Sequence, residues 1–274
     1  MPGFILTDPL LSIWSALIEE CTGIHYGLSD RELLQSKLES RAADAGFESL
    51  LDYYYFLRYD VASAAELDAL VDALVVNETY FFREADQLRA LCDTVLAPMV
   101  ARGQRPRVWC AACATGEEPL TLAMMLADRG ILSEVSILAS DIGLRVMARI
   151  KEGTYSGRSL RALPDGVVGK WLEVADGRAK VAPAILESIE WRRVNLTDAS
   201  AIAALGTFDA ILCRNVLIYF SDETVRRVVA ALSNALQDSA PLLVGASESL
   251  LRFGTLLKCE ERAGAFFYMK ARDG

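Results

Sequence analysis

Cys110 and Cys113 form a Cys-x-x-Cys in the run Val-Trp-Cys-Ala-Ala-Cys-Ala-Thr-Gly-Glu-Glu-Pro-Leu (residues 108–120), and two carboxylates, Glu117 and Glu118, follow closely. Two chemistries compete for this stretch. The thiols could make a redox or metal site, or the Gly-Glu-Glu turn could hold a ligand with the cysteines as small packing residues beside it. Zinc needs four ligands, and the chain has no second Cys-x-x-Cys and no histidine pair. The other cysteines, at 21, 92, 213 and 259, are scattered through apolar segments, which is the pattern of reduced thiols. The single histidine, His25, lies in the turn-like Thr-Gly-Ile-His-Tyr-Gly and reads as an ordinary loop residue. A Ser-His-Asp triad or a two-histidine relay is therefore not expected, and neither is a metal.

The elements that must position the Gly-Glu-Glu turn are legible as periodicities. Val108–Ala111, Val135–Ser140, Phe208–Cys213 and Leu242–Ala246 are short β-rich runs, and helices begin between them near Glu117, Gly143 and Ser221. Fully apolar strands alternating with helices predict a mostly parallel sheet covered on both faces. Ala265–Lys270 follows closely enough to be an antiparallel partner of Leu242–Ala246. Between Tyr155 and Leu196, Lys170–Val174, Arg178–Val181 and Ile189–Val194 do not fit the alternation, and Asp176-Gly177 is a hairpin signal. These runs predict a small antiparallel subdomain inserted after the second strand–helix unit, at about 165–194.

The first hundred residues read as helices only. Asp8-Pro9 opens one that Gly23 stops, Ser29-x-x-Glu32 opens another through about Asp44, and two more cover about Glu48–Tyr59 and Ser63–Val76. A longer helix runs from about Glu84 to Ala101. The predicted organisation is an all-α domain (1–76), a linker helix (77–106) and an α/β domain (107–274) carrying the insert.

In a strand–turn–helix–strand unit the ligand lies beyond the C-terminal ends of the strands. Asp141, ending the second strand, is placed to accept both hydroxyls of a ribose. The turn has one glycine, not Gly-x-Gly-x-x-Gly, and Glu117-Glu118 at the helix start would repel a phosphate. The same carboxylates suit a cationic ligand, and S-adenosylmethionine, a nucleoside with an ammonium and a sulfonium, fits better than NAD or ATP. Compensation of the helix dipole accounts for two acids at a helix start equally well.

Composition limits the partners. The 274 residues carry a formal charge of −9, which argues against broad nucleic-acid binding, since that affinity comes from neutralising phosphates. With 53% apolar residues the chain can bury a sizeable core, yet no run approaches a membrane span and the N-terminus lacks a basic leader region. A soluble cytoplasmic protein is expected.

Three stretches in order, Asn77-Glu-Thr-Tyr-Phe-Phe-Arg83, the 108–120 loop and Cys213-Arg-Asn-Val-Leu-Ile-Tyr-Phe220, resemble the CheR-type chemotaxis methyltransferases over nearly the whole chain. The resemblance implies a Rossmann-like methyltransferase sheet with an all-α N-terminal domain and a small inserted antiparallel β-subdomain. It implies methyl esterification of glutamates on the cytoplasmic domain of a chemoreceptor, which alone would bring the enzyme to the membrane, with S-adenosylmethionine as methyl donor. Carried over by position, Asn77, Thr79 and Arg83 match the linker motif that covers the cofactor, and Glu117 and Asp141 match its cofactor acids. Asn195-Leu196 falls near the adenine, and Asn215-Val216 ends the fourth strand. Tyr219 stands near methyl transfer, and Arg214 is a candidate for presenting the substrate. Two departures are Leu120, where an aromatic often follows Glu-Glu-Pro, and Gly245-Ala-Ser-Glu248, where the family has Gly-His-Ser-Glu. The family's basic N-terminal docking helix is answered only by Arg31, Lys37 and Arg41, interleaved with Glu32, Glu39 and Asp44. A related module that binds the cofactor and regulates a partner without turnover is the alternative. On the resemblance, Cys110 and Cys113 are packing residues.

Overall fold

A computed structural model describes residues 5–271; the first four residues of the N-terminal run lie outside it. Four helices build the N-terminal domain: α1 (Asp8–Thr22), α2 (Arg31–Asp44), α3 (Leu50–Tyr59) and α4 (Ala64–Leu74). Their apolar stripes meet around Trp14, Leu34, Leu38, Tyr53 and Leu70, all fully buried. Thr7, one residue before the expected Asp8, is the cap of α1, with Pro9 in its first turn. Gly23 ends that helix at φ 81°, and its left-handed turn lies against Thr197 and Phe220 of the second domain, where a Cβ would come within 3.0 Å. The helix predicted for 84–101 is broken by a π-helical turn (Cys92–Leu96) between α5 (Ala85–Leu91) and α6 (Ala97–Ala101).

The second domain is a seven-stranded sheet. Its strands are β1 (Arg107–Ala111), β2 (Ser136–Asp141), β6 (Ile189–Arg193), β7 (Ala210–Cys213), β8 (Pro241–Leu243), β9 (Lys258–Arg262) and β10 (Ala265–Met269), in the order β6-β2-β1-β7-β8-β10-β9. The first five are parallel, and β10 and β9 are antiparallel additions. α7 (Glu117–Asp128), α8 (Leu144–Glu152), α10 (Ala199–Ala204) and α11 (Asp222–Asn234) are the other helices of this domain's strand–helix alternation, and separate apolar clusters cover the sheet's two faces. The order reverses at β1, so the switch-point crevice opens above β1, β2 and β7.

The insert differs from expectation in its boundaries. Its three-stranded antiparallel sheet comprises β3 (Thr154–Ser156), β4 (Leu172–Ala175) and β5 (Arg178–Val181), and α9 (Pro183–Leu186) leads out of it. Asp176 and Gly177, at φ 51° and 70°, make the hairpin turn as predicted. Ile189–Arg193, read as part of the insert, instead pairs in parallel with β2 as the edge of the main sheet. Its alternate residues face solvent, so the run lacks the apolar continuity of the interior strands.

Candidate active site

The loops at the C-terminal ends of β1, β2, β6 and β7 reach one cavity of about 820 Å³, counting its space open to solvent. Ala112–Ala114 follow β1, Asp141 and Ile142 follow β2, Val194–Leu196 follow β6, and Arg214–Val216 follow β7. The N-terminal domain contributes Thr22 and Ile24, and residues 75–79 with Arg83 form the remaining wall. Of the eight non-glycine residues with positive φ among those described, Ala112, Ala114 and Asn215 line the cavity, and Phe82 and Glu84 flank Arg83 of its wall. Backbone strain of this kind persists where the surroundings hold it, and it gathers at functional sites.

Asp141 is held rigidly. Its two carboxylate oxygens accept from the N–H of Ala114 (2.8 Å) and of Gly143 (3.0 Å), which leaves lone pairs for a ligand. Burial raises its pKa, against the lowering effect of those backbone donors.

The two adjacent glutamates part company. Glu117 is wholly buried and absent from the cavity lining, its carboxylate taken by Thr115 Oγ1 and Ser159 Oγ at 2.6 Å each. Glu118 lines the cavity. Successive residues on a helix point about 100° apart, so only one of the pair can face the ligand. Of the two acids the sequence offered, Glu118 and not Glu117 lines the cavity, and burial raises the Glu118 pKa although Arg214 opposes the shift.

Arg214 is held by the protein's own acceptors. Its side chain is 1% exposed, and it donates to Glu118 Oε2 (2.6 Å), Gln87 Oε1 (2.9 Å), Glu84 Oε2 (2.9 Å) and the Arg83 carbonyl (3.1 Å). Burial works against its charge, and Glu118 and Glu84 hold it protonated. These bonds clamp the linker to the end of β7, and Arg214 also lines the cavity.

Two carboxylates that sequence reasoning left without a role complete this clamp. Glu248 accepts from the N–H groups of Asn215 (2.6 Å), Gly245 (2.7 Å) and Ile218 (3.2 Å), shaping the Asn215-Val216 turn. A Cβ at Gly245 would stand 2.4 Å from Asn215 Nδ2, so only glycine lets the two loops close. Glu84 accepts from Asn215 Nδ2 and from the Ala246 N–H, both at 3.2 Å. The residue at 246 makes this contact through its backbone, so alanine serves there. The only sequence signals for this pair were their places beside Arg83 and in Gly-Ala-Ser-Glu.

The other predicted residues come together at the cavity: Asn77, Thr79, Arg83, Asn195, Leu196, Asn215, Val216 and Tyr219 all line it. Asn195 is spent internally, donating to the Cys21 carbonyl (2.8 Å) and accepting from Thr197 (N–H 3.0 Å, Oγ1 2.8 Å). It fastens α1 to the sheet domain and leaves the backbone and buried side chain of Leu196 to meet a ligand. Arg83 donates once, to the Glu78 carbonyl (2.9 Å). Tyr219 is half-buried, and burial raises its phenol although Arg83 nearby lowers it. Its carbonyl accepts the His25 N–H (2.8 Å), and an Ile24–Phe220 bridge closes this corner. Cys110 and Cys113 are buried with thiols pushed well above their ordinary value, chiefly by burial. Among the described residues, no three His, Cys, Asp or Glu side chains gather as a metal site.

The donor set suits a nucleoside with a cationic tail: Asp141 and Glu118 open onto a cavity walled by Ile142, Val194, Leu196 and Val216. Residues 77–264 match the family described as "CheR methyltransferase, SAM binding domain", and residues 10–75 match "CheR methyltransferase, all-alpha domain". The chain belongs to the CheR methyltransferase family. A "Chemotaxis protein methyltransferase 2" of Vibrio cholerae is 32% identical over 280 residues, covering 100% of this chain and 97% of that protein. A "Chemotaxis protein methyltransferase" of Vibrio parahaemolyticus is 34% identical over 261 residues (91% and 92%). A "Chemotaxis protein methyltransferase 1" of Pseudomonas aeruginosa is 32% identical over 248 residues (87% and 89%). This CheR-family chain is a chemotaxis methyltransferase, and its cofactor is S-adenosylmethionine. No helix among its described residues is long and apolar enough to cross a membrane.

Proposed function

We propose that the chain methylates glutamate side chains on the cytoplasmic domain of a chemoreceptor. The observation that supports this most is a site built to orient a carboxylate without a base: Arg83 and Tyr219 line the cofactor cavity, and His25 is fixed outside it on Glu19 at 3.0 Å.

When bound, the cofactor supplies a methyl on a cationic sulfur, which passes to a carboxylate oxygen and leaves a neutral ester and a neutral thioether. A glutamate has an ordinary pKa of about 4.3 and is already the nucleophile at neutral pH. Asp141 is assigned the ribose hydroxyls and Glu118 the ammonium. The Leu196 backbone and the Asn215-Val216 turn take the adenine side, and Asn77 and Thr79 cover the ligand. Arg83, one of whose five donors is used, orients the incoming carboxylate, and the protonated Tyr219 hydroxyl donates to it. Opposite charges are partly neutralised in the transition state, so too strong a grip on the carboxylate would stabilise the ground state more. The residues' task is therefore alignment and exclusion of water.

The test is methyl transfer to a purified chemoreceptor cytoplasmic fragment, followed by mass spectrometry. Base-labile methyl esters on glutamates are expected. Stoichiometric S-adenosylhomocysteine binding with no ester on any fragment would reject the assignment in favour of regulation without turnover.

A further inference from the structure

We infer a docking groove for an acidic protein helix on the far side of the linker from the cofactor, formed by arginines of α8, of the inserted sheet and of the turn after β3. The inference rests on the glutamate-methylating reading above. Residues 75–79 are a wall with two faces: one lines the cofactor cavity, and the other lines an open groove floored by α8 and the insert. Arg149 and Arg158 line this groove, and Arg178 joins Arg149 in the adjoining hollow. All three are exposed, and none has a carboxylate within ion-pair distance among the described residues.

The neighbouring charges leave the face cationic. Arg145 also lines both hollows, and its nearest acid is Asp72 at 3.9 Å. Glu78 is turned to Arg161 at 3.5 Å, and Glu152 borders the second hollow. Attraction to the C-terminus of α8 accounts for Arg149, but not for Arg158, in the turn that follows β3, or for Arg178, which opens β5. The cations of α2 bond inside their own domain, although Lys37 also lines the groove. Arg31 pairs with Asp8, Arg41 with Glu66 (2.5 Å), and Lys37 donates to the Ala73 and Leu74 carbonyls (2.9 and 3.1 Å). In a chain of net charge −9, uncompensated arginines beside the reaction cavity fit a polyanion of limited extent. A helix bearing several glutamates places one acid over the wall while others on its face rest against the groove. A nucleic acid would meet the negative remainder of the surface.

The triple variant Arg149→Gln, Arg158→Gln, Arg178→Gln tests this in two assays, with S-adenosylhomocysteine affinity confirming the fold. The first measures anisotropy of a labelled helical peptide with glutamates at i, i+4 and i+7, needing no turnover. Its Kd is expected to rise on the order of tenfold at low salt, with a flattened salt dependence. The second is receptor-fragment methylation, where KM should rise similarly while kcat holds. Peptide discrimination without any transfer by wild type would keep the groove and discard the glutamate-methylating reading. Equal peptide affinity for wild type and variant overturns the groove, as does a loss confined to a DNA oligonucleotide or to anionic vesicles.

Discussion

On the strand side of the cavity the polar groups are fastened by their neighbours; on the linker side they are nearly free. Asp141 takes two backbone N–H groups, Asn195 takes Cys21 and Thr197, and Asn215 is fixed by Glu248 and Glu84. Across the cavity the Asn77 and Thr79 side chains make no hydrogen bond among the described residues, and Arg83 makes one. The linker is anchored lower down, where Phe81 is buried against Tyr155 and the Phe81 N–H reaches the Ser159 carbonyl (3.0 Å). A strand side preformed for the cofactor, and a linker side that orders its polar groups on binding, are what this difference predicts. Binding affinity should reside on the first and rate on the second.

The largest expected effect on the strand side is from Asp141→Ala. It removes a charged acceptor and leaves the Ala114 and Gly143 N–H groups unpaired, about 3 kcal/mol or on the order of a hundredfold in S-adenosylhomocysteine affinity. Calorimetry showing wild-type affinity in a folded Asp141→Ala would falsify the preformed floor. Next come the two glutamates. Glu118→Gln should weaken binding about tenfold, whereas Glu117→Gln should leave affinity alone and lower stability by roughly 1–2 kcal/mol. Equal affinity losses would restore Glu117 to the site.

Acidification separates affinity from stability. Because burial raises Glu118 and Asp141, the folded chain holds their protons more firmly than the unfolded chain. Their burial therefore costs stability above the raised pKa values, and the cost is relieved as pH falls through them. Affinity runs the other way, since the cofactor needs both anions. Titrated from about pH 7 to about pH 4, S-adenosylhomocysteine affinity should begin to fall above the ordinary carboxylate range of about 3.9–4.3. A flat profile down to that range would refute the raised pKa values. The smallest effect belongs to Cys110→Ala and Cys113→Ala, expected to cost a few degrees of Tm at most and to leave activity indifferent to reductant. A reductant-dependent rate in wild type that these changes abolish would make the thiols functional.

What was legible in the sequence follows the same division. Interior parallel strands are buried on both faces and spell continuous apolar runs, so β1, β2, β7 and the acid ending β2 were readable. Edge strands are half-exposed: Ile-Glu-Trp-Arg-Arg (β6) was misassigned and Lys-Cys-Glu-Glu-Arg (β9) was not seen. The sequence shows two adjacent acids but not the phase of α7, so it could not choose between Glu117 and Glu118. Arg214 looked available because its acceptors come from Glu84, Gln87 and Glu118, remote in sequence.

The central claim is that Arg83 acts on the substrate carboxylate while the strand side holds the cofactor. It is tested most directly by measuring kcat and S-adenosylhomocysteine affinity together in Arg83→Ala. The expected result is a kcat lower by on the order of a hundredfold, the cost of a misaligned reactant, with affinity changed less than about fivefold. The wild-type rate should stay nearly flat between about pH 6 and about pH 8, because a glutamate needs no base there. Full activity in Arg83→Ala, or an affinity loss as large as the rate loss, would contradict it.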